Sequence, residues 1–514
     1  MYNRDGTMAK NIFLLLLVFV VLFGPVSVFA RELVNNSHNL HEVLQTEESK
    51  AACEEYHMLV KNQIKGNITA EKIRSIVSTD VRELCGKYIF VYGTPYALAA
   101  VPETYIIGAM QAWPGEAGPA FTDAGLIENP DDPGFPVGIP QVTAKNPVTR
   151  VAARGPTRLP ASCAMCHFSK LDDGRYSFGS GSSDIVFGKL ASVFSYPLWI
   201  FDQKRDDEKV WNSEVNQHFE TMKVTAEESG APGILFPDLL EYPSWLPITK
   251  LIRKATSLPY VGKFDQRDFM SRRPGRGPAF YIALATKEEL PLTVPTLWGI
   301  TSPSGSKEID KHRLGAFVHS PDLETHVMES LMILSGTSDF NSPEWIVPLT
   351  DFIRALERPE QLADKNIELY AKGEELFKSR CSVCHSDTSG GSGKLVTTKY
   401  IGLDERYNTP YMASLEPSNQ TSADNFRDVR DFFKDTHPEF EWNDRGVRVR
   451  RLKGVWTRKY LMSNGGVHGL EHAFCLNGLE RNNPDPLTGD TAHANLCQLP
   501  LEYREALAEF LRHW

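Results

Sequence analysis

The sequence predicts a mainly α-helical protein with two unequal domains that carry long irregular loops, plus a helical N-terminal extension. Three observations predict this class. Apolar residues recur at helical spacing from 38 to 87 and again from 361 to the C-terminus. Prolines and glycines are dense from 93 to 160, and one cysteine motif occurs twice, at 163–167 and 381–385. With 514 residues, of which 41% are hydrophobic, the chain can form two or three domains and is not a disordered polymer.

Charge and hydropathy exclude several classes of protein. The formal net charge is −10 and no long basic block occurs, so the sequence does not predict a nucleic-acid-binding protein. The longest apolar run lies within the first thirty residues, which excludes a polytopic membrane protein. An acidic surface of this kind suits a basic protein partner.

The N-terminus has the pattern of a secretory signal. Arg4 and Lys10 precede an apolar run from Ile12 to Phe23, and small residues follow up to Ala30. We therefore expect residues 1–30 to be removed after export to the periplasm or the medium, with membrane contact only during export. An uncleaved N-terminal anchor is the alternative, although the run is short for a membrane-spanning helix.

Residues 31–150 are predicted to form a cap of unknown role. The stretch from 38 to 87 indicates two amphipathic helices, followed by a segment with too many prolines and glycines for long regular elements. His57 and Met58 lie on one of these helices, and we expect them to pack rather than to bind a metal.

Four of the eight cysteines fall into two copies of one motif. These are Cys163-Ala-Met-Cys166-His167 and Cys381-Ser-Val-Cys384-His385, the pattern at which c-type haem is attached. Two thiols at this spacing can each bond a haem vinyl group, and the following histidine then binds the iron. The sequence therefore predicts two covalently bound haem c groups. A structural zinc site is the alternative, but it needs no histidine after each pair, and free thiolates are unusual in an exported protein.

The other four cysteines are predicted to pair by proximity. Cys53 would bond Cys85, and Cys475 would bond Cys497. Closed loops of this length stabilise a fold by roughly 3 to 4 kcal/mol each in the chain-entropy description. We expect both bonds to be structural, because neither spacing is the short one of redox-active pairs.

The motifs predict two c-type cytochrome domains, at 151–355 and 356–514. Proline- and glycine-rich segments flank the first motif and predict a loop-bound haem there. A helical segment from about Gln361 leads into the second motif, and an amphipathic helix ends the chain. In a cytochrome c domain the first and last helices cross, and four residues fit the contact: Gly373, Phe377, Leu507 and Phe510.

Three further segments resemble those of one family. Pro274-Gly-Arg-Gly277, Val294-Pro-Thr-Leu-Trp-Gly-Ile300 and Tyr460-Leu-Met-Ser-Asn-Gly-Gly-Val467 follow one another as in the dihaem cytochrome c peroxidase superfamily. The Pro-x-Leu-Trp-Gly and Tyr-Leu-x-x-Asn-Gly forms look most like its dihaem rubber-oxygenase branch. The resemblance covers about 155–514 and leaves the cap unexplained.

The resemblance implies roles for single residues. His167 and His385 would be the proximal iron ligands, Trp298 would lie between the haems, and Arg276 would bind a propionate there, unless it is a solvated turn residue. His493 would be the sixth ligand of the second haem. The competitors for that position are Met462, His468 and His472. With six ligands, the second iron could not bind a substrate and would store electrons. The catalysed reaction would then take place at the first haem.

The sequence indicates less clearly which residues would lie on the distal side of the first haem. The stretch after His167 has no histidine before His218, unlike the peroxidases, which favours an open or weakly occupied distal side. His319 is a candidate acid/base group, and Phe317 a candidate apolar wall for dioxygen or an apolar substrate. The competitors in sequence are His312 and His326. The basic run Arg445–Lys459 would either neutralise haem propionates or form a solvated face.

The predicted function is an exported dihaem c-type cytochrome oxidoreductase. Peroxidase-like chemistry would occur at the first haem while the second relays electrons. A dioxygen-activating oxygenase and a non-catalytic electron carrier are the alternatives. The expected partners are a small redox protein as electron donor or acceptor, and peroxide, dioxygen or another small molecule as substrate.

Overall fold

A computed structural model describes most of the cap and of the second half of the chain. The described residues are 33–93, 101–102, 122, 125–133, 135–140, 158–159, 162–185, 276–278, 291–300, 323–324, 326–327, 342–386, 395–396, 398–403, 447–484 and 489–514. The described residues from Val34 to Trp514 belong to one compact unit. The predicted signal over 1–30 lies outside the described residues, and the domain boundaries expected at 150 and 355 stay predictions.

About half of the described part is helical and little of it is strand, which confirms the mainly α class. The helices are α1 Leu40–Leu44, α2 Thr46–Gln63, α3 Ala70–Ile76, α4 Thr79–Tyr92, α5 Cys163–His167, α6 Pro343–Ala355, α7 Ile367–Arg380, α8 Ser382–His385, α9 Thr398–Ile401, α10 Gly469–Ala473 and α11 Leu501–His513. The strands are β1 Asn36–Ser37, β2 Val101–Pro102, β3 Arg158–Leu159, β4 Phe168–Lys170, β5 Tyr176–Phe178, β6 Arg276–Pro278, β7 Pro291–Thr293, β8 Leu395–Val396, β9 Val447–Arg448, β10 Tyr460–Leu461 and β11 Val467–His468. No described helix is long and apolar enough to cross a bilayer.

The cap is built from α1 to α4. Helix α4 begins at Ser78, whose side chain accepts a hydrogen bond from the Val81 backbone N–H and so satisfies one free donor of the first turn. Its inner face packs on α2 and on α6. Cys53 of α2 and Cys85 of α4 are joined, with their Cα atoms 4.1 Å apart. The two amphipathic helices expected in this region are therefore present, with the short α3 between them.

A small sheet connects the cap to the first cysteine motif. Strand β5 lies between β1 and β4 in an antiparallel sheet, with Ser177 opposite Asn36 and Phe178 opposite Phe168. The buried ammonium group of Lys87 donates to the Val34 carbonyl at 2.6 Å, which fixes the start of the described chain. The segment that carries the first motif is thus held by cap residues on one side.

An aromatic cluster continues this contact into α6. The Phe178 ring lies 5.8 Å from that of Phe90 in α4 and 5.6 Å from that of Phe352 in α6, and both contacts are edge-on. All three side chains are buried. Edge-to-face aromatic pairs add to the stabilisation from burial, so the cap, the first motif and α6 share one core.

Helices α7 and α11 cross where the sequence predicted it. A Cβ atom at Gly373 would overlap the Ala506 backbone carbonyl, so only glycine allows the two helices to approach this closely. The Phe377 and Phe510 rings lie 5.1 Å apart beside this contact, and Leu507 is buried there. Helix α7 begins at Ile367, later than the expected start near Gln361.

Candidate functional site

The second cysteine motif follows α7 directly and forms the single turn α8. Cys381 and Cys384 are half-buried and take part in no disulfide. His385 ends the turn, and its Nδ1 donates a hydrogen bond to the Arg450 backbone carbonyl at 3.0 Å. This bond places the proton on Nδ1, so the lone pair of the ring lies on Nε2, the nitrogen that binds a metal in such an arrangement.

His493 faces His385. Their ring centroids lie 6.1 Å apart, with an angle of 54° between the rings. Two imidazoles that bind one metal ion from opposite sides have centroids roughly 6 Å apart, because each metal–nitrogen bond is about 2 Å long. The pair therefore has the spacing of two axial ligands of one iron. The two free thiols of the motif lie in the same turn as the first of these ligands.

Burial keeps His493 neutral. It lowers the pKa of the imidazole to about 4, with smaller contributions from the charges of His385 and Arg481. A neutral imidazole has the free lone pair that a metal ligand needs.

The loop that carries His493 is fixed mainly by backbone carbonyls. Arg481 donates to the Ala492 carbonyl at 2.6 Å and to the Asp490 carbonyl at 3.2 Å. The His493 backbone N–H donates to the Ile401 carbonyl at 2.8 Å. The left-handed backbone of His493, with φ of 57°, is held by these bonds, since a residue with a β-carbon rarely adopts it unaided.

A disulfide closes the same region. Cys475 and Cys497 are joined, with Cα atoms 5.3 Å apart, and His493 lies between them in sequence. Arg504 donates to the Cys475 carbonyl at 2.5 Å and to the Phe474 carbonyl at 3.0 Å, which fixes one end of the bridge. The second predicted disulfide thus encloses the candidate ligand.

The competing ligands make other contacts. His472 lies 3.3 Å from the Asp490 carboxylate and accepts a hydrogen bond from the His468 backbone N–H. The His468 and His472 rings are also 6.1 Å apart, but they are four residues apart on one helical turn. The Met462 backbone carbonyl accepts a hydrogen bond from Thr293. The His493 ring, by contrast, lies beside that of His385.

The first motif forms one helical turn, α5, followed at once by β4. The sequence predicted a loop here; the turn forms because Met165 N–H donates to the Ser162 carbonyl, and β4 then pairs with β5. Burial raises the pKa of both thiols, Cys163 and Cys166, to about 12. Neither is in a described disulfide.

His167 is half-buried, and its Nδ1 atom is fully covered by protein. Burial lowers the pKa of its imidazole to about 4. The nearby Pro295 backbone raises this pKa, but its distance and angle to Nδ1 are not those of a hydrogen bond. Two further charges lower the same pKa, those of His326 and Arg458. A neutral imidazole with free lone-pair capacity fits a metal ligand. His326, a minor competitor in the sequence, is therefore near His167 in the fold.

Trp298 lies between the segments that follow the two motifs. The side chain is 0% exposed, and its Nε1 donates to the Phe178 carbonyl at 2.9 Å. A Cβ at Gly179 or at Gly454 would overlap the indole, so both glycines are required for its fit. Gly179 N–H in turn donates to the His167 carbonyl at 2.8 Å. Trp298 thus connects the first motif to the segment that supports His385.

Two half-buried arginines of the basic run lie near the motifs, Arg450 beside His385 and Arg458 near His167. Burial lowers the pKa of Arg450, and burial together with the charge of Arg450 lowers the pKa of Arg458 to about 9. Within the described part of the chain, no carboxylate forms an ion pair with either side chain. Enclosed cations without a counter-charge are costly, so this pair of guanidinium groups fits an anionic group such as a carboxylate.

Comparison with known proteins adds no assignment. No protein family, no curated protein and no solved structure matches the chain. The functional interpretation therefore depends on the motifs and on the geometry just described.

One further cluster of metal-ligand types occurs among the described residues. It comprises Cys53, His57 and Cys85, whose ligand atoms lie within 4.8 Å of one another. The two sulfurs are bonded to each other, and the His57 Nδ1 donates a hydrogen bond to the Glu344 carboxylate at 2.9 Å. His57 packs on Trp345, as expected for a core residue, whereas Met58 is 53% exposed because it lies on the outer face of α2. The expectation that Met58 packs is therefore wrong.

The thiols of the two motifs do not converge in one metal cluster of described residues. A zinc site that uses both cysteine pairs requires such a cluster. This arrangement favours two separate sites.

Several predicted site residues lie outside the described structure. They are His319, Phe317, His312 and the side chain of Arg276; the Arg276 backbone belongs to β6, opposite Thr293. The sequence did not single out Arg481, because an isolated arginine in a loop gives no signal until the carbonyls around it are known. Arg450 and Arg458 lay in the basic run, but only the fold distinguishes them from its other members.

Proposed function

We propose that the protein is an exported oxidoreductase with two covalently attached haem c groups, one at each motif. Peroxidase-like chemistry takes place at the first, and the second relays electrons to it. The facing pair of imidazoles, His385 and His493, next to two free thiols, is the observation that carries this proposal.

The second site is suited to storing and passing electrons. His385 is oriented by the Arg450 carbonyl, and His493 is held neutral on a fixed loop. Ligation from both sides leaves no position for a substrate. Electron transfer there would need little movement, because both ligands are anchored to the backbone.

The first site is suited to chemistry. A haem attached there would supply redox chemistry with peroxide or dioxygen. His167 supplies a neutral imidazole on the proximal side. A histidine near the iron can accept a proton from peroxide and return it to the leaving oxygen; His326 and the predicted His319 are the candidates.

The residues between the two sites support electron transfer and haem binding. Trp298 provides a buried aromatic side chain between the two motif segments. Arg450 and Arg458 offer paired donors to haem propionates, which favours the propionate interpretation of the basic run. The two disulfides and the signal pattern support export to the periplasm or the medium.

Covalent haem is tested by mass and absorbance. The chain is produced in a periplasm with c-type maturation, and we expect two haems that survive denaturation. Replacing both cysteines of one motif, Cys163 and Cys166 or Cys381 and Cys384, should remove one haem each. Replacing Cys475 and Cys497 is the matched control and should leave both. A chain with bound zinc or without covalent haem would contradict the proposal.

A non-catalytic electron carrier is the second candidate, and the position of His326 favours it. If His326 binds the first iron permanently, both irons are six-coordinate and neither can bind a substrate. Two low-spin spectra that cyanide and carbon monoxide leave unchanged in every oxidation state would favour the carrier. Peroxide consumption with a reduced donor separates the peroxidase from the oxygenase.

A further inference from the structure

An ion-pair network joins the cap to the chain around His326. Asp351 of α6 is 5% exposed and binds three arginines. Arg82 reaches it at 2.6 Å, Arg354 at 3.1 Å and Arg74 at 3.4 Å. Arg74 also pairs with Glu324, and so does Arg354, at 3.8 Å. Two of the three arginines, Arg74 and Arg82, belong to the cap.

Glu324 fixes a helical turn of the first domain. Leu323 and Val327 are both buried, and their spacing of four residues puts them on one face of the turn. Glu324 is held by Arg74 of the cap through a close ion pair. Apolar burial on one face and an ion pair beside it restrain the turn, which also contains His326.

His326 interacts electrostatically with His167, the proximal ligand candidate. The cap, the turn and the first motif thus form one continuous set of contacts. The same motif is held from its other side by the pairing of β1 with β5.

We propose that the cap is a positioning element for the first haem site: Arg74, acting through Glu324, holds the turn that presents His326 to His167. Arg74 and Glu324 are positioning residues, and His326 is the group that they place. The proposal rests on the proposed function and assigns a role to residues that precede the haem domains. It also makes access to the first iron dependent on the cap.

The test measures the first haem by its spectrum. In the purified protein, Glu324→Gln and Arg74→Ala should each weaken cyanide binding at the first haem by roughly tenfold, because His326 is no longer held where it can accept the proton of hydrogen cyanide. The second haem should be unchanged. Arg74→Lys, which keeps the positive charge beside Glu324, should stay closer to the wild type than Arg74→Ala.

The matched control breaks another ion pair between the cap and α6. Glu344→Gln removes the partner of His57 at 2.9 Å without touching Glu324, so it should leave the first haem unchanged. A His326→Ala variant should reproduce the spectrum of Glu324→Gln. If both haems are attached and neither Glu324→Gln nor Arg74→Ala changes the spectrum of the first haem or its affinity for cyanide, the positioning role is wrong, while the proposed function still stands. A chain without covalent haem would overturn the proposed function and this proposal with it.

Discussion

Removal of the Arg481 side chain should release the loop that carries His493. Arg481 makes two hydrogen bonds of 2.6 Å, one to the Ala492 carbonyl and one to the Ala473 carbonyl. It makes longer ones to the carbonyls of Asp490, at 3.2 Å, and His472, at 3.4 Å. The guanidinium thus joins the ligand loop to α10, and Arg481→Ala cuts this connection.

The size of the effect follows from these bonds. A hydrogen bond from a charged donor contributes about 1.5 to 3 kcal/mol, and the two short ones dominate. We expect Arg481→Ala to lower the free energy of unfolding by about 3 to 5 kcal/mol. If about 2 kcal/mol of this acts on the loop, the population with His493 away from the metal rises roughly thirtyfold, since 1.36 kcal/mol is a factor of ten.

The assay is the absorption and paramagnetic resonance spectrum of the purified dihaem protein, with a urea titration beside it. Arg481→Ala should show a high-spin component at the second haem, as should His493→Ala, and Arg481→Lys should lie between wild type and Arg481→Ala. Arg504→Ala is the matched control: Arg504 also binds several carbonyls in this region but none in the loop from 489 to 493. It should destabilise the fold and leave the second haem low-spin. A low-spin second haem in Arg481→Ala, together with the expected loss of stability, would refute the reasoning.

Three further predictions concern the core. Trp298→Phe removes the 2.9 Å hydrogen bond to the Phe178 carbonyl, to which the Ser177 hydroxyl still donates at 3.3 Å, and should lower the free energy of unfolding by about 1 to 2 kcal/mol in a denaturant titration. Electron transfer between the haems, followed after rapid photoreduction, should slow, and an unchanged rate would remove Trp298 from the path. Gly373→Ala should destabilise the crossing of α7 and α11 by at least about 1 to 3 kcal/mol, because the new methyl group overlaps the Ala506 carbonyl, and an unchanged melting temperature would contradict this contact. Burial raises the pKa of Tyr88 above its usual value, so above pH about 10 the unfolded chain loses a proton that the folded chain keeps. The free energy of unfolding is therefore unaffected by Tyr88 below pH about 10 and decreases as the pH rises further. Tyr88→Phe should flatten this alkaline loss in urea titrations at several pH values, whereas an unaltered slope would assign it to other groups.

Local patterns were sufficient for several features. The amphipathic stretches of the cap, the crossing of α7 and α11 and the mainly α class all follow from periodicity and from residues within one segment. Cys53 and Cys85, like Cys475 and Cys497, are close in sequence, so proximity indicated which sulfurs meet. The first motif shows the limit of such patterns: its proline-rich flanks indicated a loop, whereas pairing of β4 with β5 extends a helical turn into a strand.

The sequence by itself determined the two cysteine motifs and their histidines, because the haem attachment pattern is contained within five consecutive residues. Only the tertiary structure decided which distant groups surround them. His493 meets His385 across more than one hundred residues of chain, and Arg450 becomes the partner of His385 through a backbone carbonyl that every residue possesses. Arg74 and Glu324, which are 250 residues apart in sequence, form an ion pair two residues before His326. Such contacts depend on burial and on direction in space, and linear spacing carries no information about either.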